Sequence, residues 1–268
     1  MEDNRTDLDA LSLMPALFVG HGNPMNAIEE NRFVAAWCET AARLPRPRAI
    51  LCISAHWETD GTRVTAEERP RTIHDFSGFP DELYAVRYPA PGSPPLAERV
   101  RELLGASAVR PDTDEPWGLD HGAWAVLRRI YPEADIPVVQ LSLDRTLPPR
   151  DHYGLACRLL PLRREGVLVV GSGNLVHNLR LLDWRTDRPF PWAAEFDRLA
   201  AELVRAGEHD RLADYPALGE AARLAIPTNE HYLPLLYVLA LQQPEEPVVF
   251  FAEGVVYGSL SMRSLQIG

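Results

Sequence analysis

Five short apolar runs, ALFVG, AILCIS, IPVVQLSL, GVLVVGSG and PVVFFAE, recur along the chain, rich in Val, Ile and Phe and bounded by Gly or Pro. Runs of this kind read as strands buried on both faces, since a strand with one wet face would alternate polar and apolar residues. Between them the apolar spacing changes to three and four. Phe33, Val34, Trp37, Ala41 and Leu44 follow it, as do Leu96, Val100, Leu103 and Leu104. Ser93 and Pro94 predict a cap and first helical position, and Gly105 a stop. Further helices are expected from Trp124 to Tyr131, Tyr153 to about Leu160, Trp192 to Ala206 and Glu230 to Leu241. The alternation predicts an α/β single domain with a mostly parallel central sheet covered by helices on both faces. The final VVYGSLSMRSLQIG is expected to add a hairpin strand at one edge.

A chain of 268 residues with 46% hydrophobic content can bury one large core. That core is expected over residues 15–268, behind a flexible acidic tail over residues 1–14. With 27 basic against 38 acidic residues the net charge is -11, which argues against nucleic acid or an anionic membrane as partner. No apolar run approaches the roughly 20 residues of a membrane span. The start, MEDNRTDLDALSL, is acidic where a secretory signal would be basic, so a cytoplasmic protein is expected. Cys38, Cys52 and Cys157 are too scattered for a disulfide framework or a metal knuckle and read as small core residues. Monomer and homodimer both remain open.

In open α/β sheets, ligands collect in the crevice beyond the carboxyl ends of strands. His21 follows LFVG, His56 follows LCIS after one alanine, and His177 follows LVVGSGNLV. Neutral imidazole is the commonest protein ligand for zinc and first-row transition metals, and three can converge from separate strand ends without any local motif. His231, in TNEHYLPLL, adds a candidate ligand from the expected first turn of a helix. His121, in GLDHGAW, stands just before another. A lone histidine is more often a satisfied core residue, but this repeated placement favours a shared ion.

The other histidines differ. His152 and His209 sit in ordinary surface settings and are assigned to solvent. His74, followed by Asp75, Phe76 and Phe79, suits a substrate-facing loop within the long Pro-rich stretch from Arg69 to Pro95. GSGNLV fails as a dinucleotide fingerprint, because Val176 takes the third glycine position and no acidic residue follows at the right distance. Gly171 and Gly173 are expected to turn the backbone tightly and present Asn174 and His177 to a pocket. Ser172 is not in a GxSxG elbow.

Taken in order, GHGNPM, SAHWE, HDFSGFPDELYAVRYPAPGSP, GLDHGAW, GSGNLVHNL and EHYLPLLY closely resemble the 4,5-DOPA extradiol dioxygenases, a branch of the class III extradiol ring-cleaving dioxygenases. The resemblance runs from about Leu17 to the C-terminal region and makes residues 15–268 a catalytic domain of that class. It implies one divalent metal ion, Fe(II) for ring cleavage or Zn(II) as described in family members, with a catechol such as DOPA and dioxygen as substrates. The implied ligands are His21, His56 and His231, with His177 either a fourth ligand or an acid–base residue. His121 lines the same pocket and is expected to hydrogen-bond the oxygen side, while His74 and Asn174 are expected to touch substrate. The wider class uses a carboxylate where this chain has His231, which leaves the site one unit more positive. The product implied is a ring-opened semialdehyde. Two other functions suit the same histidines: a zinc-dependent hydrolase, and a non-catalytic protein that binds a metal or aromatic molecules.

Overall fold

The computed structural model describes residues 13–113 and 116–268. The described residues form ten strands: β1 (Ala16–Gly20), β2 (Ala49–Thr59), β3 (Thr62–Thr65), β4 (Val109–Asp112), β5 (Val138–Asp144), β6 (Val167–Gly173), β7 (Val248–Phe251), β8 (Val255–Val256), β9 (Leu260–Ser261) and β10 (Ser264–Ile267). Eight of them form one sheet in the order β4-β3-β5-β2-β6-β1-β10-β7, while β8 and β9 pair separately. The central strands β5, β2, β6 and β1 run parallel. Antiparallel pairing begins outside them, at β3 against β5 and at β10 against β1 and β7.

The period-2 geometry of the strands divides their apolar residues between two cores. Leu17, Val19, Ile50, Cys52, Leu168 and Val170 face one side and pack against α1 (Arg32–Ala41) and α4 (His121–Ile130). Phe18, Leu51, Ile53, Val167 and Val169 face the other. That face is covered by α3 (Pro94–Leu104), α5 (Pro149–Cys157), α7 (Pro191–Arg205), α9 (Glu220–Ala225) and α10 (Leu233–Leu239). The short helices α2 (Asp81–Ala85), α6 (Pro161–Arg164) and α8 (His209–Ala213) complete the set. The α/β arrangement with helices on both faces is the one the alternation predicts.

Local signals set several helix ends. Ser93 Oγ accepts the Leu96 N–H at 3.3 Å and Gly105 stops α3 at φ 99°. Asn31 Oδ1 accepts the N–H groups of Phe33 and Val34 at the start of α1. Helix α4 starts at His121, three residues earlier than its apolar spacing predicts, because Asp120 caps it by accepting the Ala123 N–H. Helix α10 starts later than expected. Pro234 in its first turn donates no N–H, and residues 230–232 form a separate turn closed by Tyr232 N–H to the Asn229 carbonyl.

Four expectations are corrected. The C-terminal strand β10 lies inside the sheet, between β1 and β7, because it pairs with both; the edge is β7, which is partly exposed rather than buried. Strands β3 and β4 lie in segments with no apolar run. His152 is fully buried, since the Tyr237 hydroxyl at 3.0 Å and the Asp144 carbonyl at 3.1 Å satisfy both ring nitrogens. Of the cysteines only Cys52 is buried, while Cys38 is half-buried and Cys157 exposed. The tail expected over residues 1–14 falls mostly outside the described residues. Met14, however, is buried, its backbone N–H and carbonyl both bonded to Arg163.

Candidate metal centre

Three adjacent strands deliver the first histidines. His21 follows β1, His177 follows β6, and His56 stands inside β2, whose register against β5 shifts between Ile53 and Glu58. Such an irregularity re-aims side chains next to a site. His231 arrives from the turn before α10. Gly173 makes that approach possible, because a Cβ there would collide with the His231 carbonyl oxygen. The same carbonyl accepts the Asn174 N–H at 2.8 Å, and His21 N–H bonds to the Gly173 carbonyl at 2.9 Å. Gly171 and Gly173 therefore permit close packing of α10 on β6, rather than the tight turn expected. On the opposite face Gly122 has the same function against Ser54 and His56.

The ring centroids of His21, His56 and His231 form a nearly equilateral triangle, at 5.0, 5.3 and 5.0 Å. Imidazoles bound about 2.0–2.1 Å from one tetrahedral ion have centroids about 5 Å apart, so this triangle fits a shared metal. Two further rings pack against members of this triangle. His177 stacks on His231 at 3.4 Å and 8°, and His121 leans on His56 at 3.8 Å. Ligand atoms of His21, His56 and His121 do lie within 4.8 Å of one another, as do those of His177, Glu230 and His231.

Hydrogen bonds set the tautomers. Ser172 donates to the Gly122 carbonyl, so its oxygen accepts from His21 Nδ1 at 2.9 Å. Glu230 accepts from His231 Nδ1 at 3.0 Å. Both histidines therefore keep a bare Nε2, and a partner on the remote nitrogen is what orients a metal-binding imidazole. The Nε2 atoms of His21 and His56 are 3.2 Å apart.

Burial, then the neighbouring His56 charge, hold His21 well below the ordinary imidazole value; burial and then His177 do the same to His231. Burial, then His121, lowers His56 to about 3, and burial lowers His177 to about 4. All four are neutral near pH 7, the state a metal requires. A cavity of about 260 Å³ opens onto the five histidines, walled by Asn23, Pro24, Phe79, Leu179, Leu182, Trp184 and Leu260 among others.

Residues 12–257 match the family described as the catalytic LigB subunit of aromatic ring-opening dioxygenase. The chain belongs to the LigB family. It is 51% identical over 259 residues to a protein of Escherichia coli (strain K12) named 4,5-DOPA dioxygenase extradiol, covering 95% of each chain. A Beta vulgaris protein of the same name is 42% identical over 229 residues, covering 84% of this chain and 85% of its own. A crystal structure of an uncharacterized protein from Escherichia coli K12 superposes with a TM-score of 0.83 at 47% identity, covering 95% of this chain and 100% of that one.

In this LigB-family chain, His21, His56, His121, His177 and His231 converge as expected, but two predicted site residues do not reach the cavity. His74 Nε2 lies 3.1 Å from the Val86 carbonyl and its ring packs among Phe76, Tyr84 and Trp124. Asn174 is buried, its Nδ2 donating to the Ser261 carbonyl at 2.8 Å. Both side chains brace the walls. Sequence reasoning missed Ser172 and Glu230 as orienting partners, and the exposed rim of Leu179 and Trp184. Ser172 follows His21 in no local pattern and is found only through the parallel pairing of Val19 with Ser172. Glu230 adjoins His231 and carried a visible signal. Among the described residues, no helix is long and apolar enough to cross a membrane.

Proposed function

We propose that this chain is a metal-dependent extradiol dioxygenase that opens the ring of a catechol and places both atoms of dioxygen in a semialdehyde product. The observation that carries this reading is the even triangle of His21, His56 and His231 opening into a largely apolar cavity. DOPA, named in the relatives, is the first substrate to try. When bound by the three imidazoles, a redox-active ion such as Fe(II) supplies Lewis acidity and an electron path between catechol and dioxygen, whereas zinc supplies only the first. Three neutral ligands leave the ion's full positive charge to attract a catecholate.

The remaining groups belong to the chain. Phe79, Leu182 and Leu260 give the catechol ring an apolar bed and keep water from the reacting carbons. His177, neutral at pH 7 and bordering the cavity, accepts a proton from a catechol hydroxyl and returns it after ring opening. Its stacking on His231 supports an acid–base role over a fourth ligand position. The free thiols Cys38, Cys52 and Cys157 suit a reducing, cytoplasmic compartment.

Metal-stripped protein, reloaded anaerobically with ferrous iron and mixed with a panel of catechols, should consume oxygen and yield a yellow ring-opened chromophore. No oxygen uptake with any catechol refutes the reading. Turnover of esters or amides by the zinc-loaded protein without oxygen would make it a hydrolase instead.

A further inference from the structure

Asp75 stands where two histidines of the site meet. Its Oδ1 accepts the backbone N–H of His121 at 2.8 Å and its Oδ2 accepts from His121 Nδ1 at 2.8 Å. The same Oδ2 lies 3.7 Å from His56 Nδ1. Three contacts hold the loop that carries it: Ile73 N–H to the Leu119 carbonyl, Trp124 Nε1 to the Ile73 carbonyl, and His74 Nε2 to the Val86 carbonyl. The carboxylate thus sits over the first residue of α4, where the unpaired N–H groups and helix dipole favour negative charge.

A carboxylate only accepts, so His121 Nδ1 carries a hydrogen, and the tautomer with one ring hydrogen has a bare Nε2. His121 lines the cavity. In that tautomer the ring offers an acceptor. We propose that Asp75 is a positioning residue that locks His121 in the Nδ1–H tautomer, so that His121 Nε2 takes a proton from the bound catechol. In that step the catechol O–H bond breaks, an Nε2–H bond forms, and Asp75 remains unprotonated beside the resulting imidazolium. A second hydroxyl proton is left for His177. The proton-transfer part rests on the dioxygenase reading; the tautomer does not.

Asp75→Asn tests both. The amide oxygen can keep the His121 backbone N–H while its NH2 donates to Nδ1, which drives the ring hydrogen to Nε2. Ring-nitrogen NMR of zinc-loaded, histidine-labelled protein should show His121, assigned with His121→Ala, protonated at Nδ1 in the parent and at Nε2 in the variant. The iron-loaded variant should keep its metal content and its KM for catechol within about twofold, and lose kcat by about 10- to 100-fold. Adding Asp75→Asn to His121→Ala should cost nothing further. An Nε2-protonated His121 in the parent, an unchanged kcat, or additive losses in the double variant would overturn the proposal. A parent inactive on every catechol would sink the dioxygenase reading, and the nitrogen spectrum would still decide the tautomer.

Discussion

The Nε2 atoms of His21 and His56 face each other at 3.2 Å, although one residue follows β1 and the other lies in β2, strands separated in the sheet by β6. Two nitrogens each about 2.1 Å from one ion, at an angle of about 100°, would stand about that far apart. Replacing either His21 or His56 with Ala should abolish stoichiometric metal binding by elemental analysis. Full metal retention would refute the ligand assignment. His177→Ala should keep its metal and lose turnover, and a proportional loss of both would make His177 a ligand.

Ser172→Ala removes the acceptor that holds His21 Nδ1. Metal affinity should fall by about 10- to 100-fold, the usual cost of losing an orienting partner. Competition with a chelator of known affinity measures it, and unchanged affinity would show that packing alone holds the ring.

Gly173→Ala places a methyl group against the His231 carbonyl. Chemical denaturation should report a loss of about 1–3 kcal/mol, together with weaker metal binding as α10 is pushed from β6. Gly207, with open space around its α-carbon, is a control site for crowding, though its φ of 69° carries a separate strain for alanine.

Acid should destabilise the metal-free protein. The folded state holds His177 at about 4 and His56 at about 3, below the ordinary 6.5, and burial holds His21 and His231 well below it too. The unfolded chain therefore binds more protons once the pH falls below about 6.5. Stability should decline from there down through the folded values, and be level in these groups above pH 7. Urea midpoints measured from pH 8 to pH 4 check the direction; a flat profile would contradict the burial of neutral imidazoles.

Trp184 is 64% exposed at the cavity mouth, beside Leu179. Trp184→Ala should raise the KM for catechols by roughly fivefold, the equivalent of about 1 kcal/mol of aromatic contact, and leave the unfolding midpoint in place. An unmoved KM would remove Trp184 from the substrate path.

The buried central strands and the major helices were legible because their apolar periodicity reports burial directly, and His21, His56 and His177 because each follows or closes such a run. What the sequence hid depends on contacts far apart in the chain. Nothing near His152 shows that Tyr237 and Asp144 will satisfy its ring, so its surroundings read as solvent. The partners of His21 and His121, at Ser172 and Asp75, come from other elements. His74 misled for the opposite reason: its aromatic neighbours resemble a substrate bed but are the packing of the loop itself.

His21 follows β1 and His231 lies in the turn leading into α10, so an ion touching both would be a clasp between segments near the two ends of the domain. The loop it fastens takes in most of the chain, and the unfolded polymer has no comparable way to hold the cation. Occupancy should therefore act as a thermodynamic latch on the whole α/β body, strengthening it by an amount set by free metal concentration relative to its dissociation constant. Scarcity of the metal would then lower the lifetime of the protein as well as its turnover.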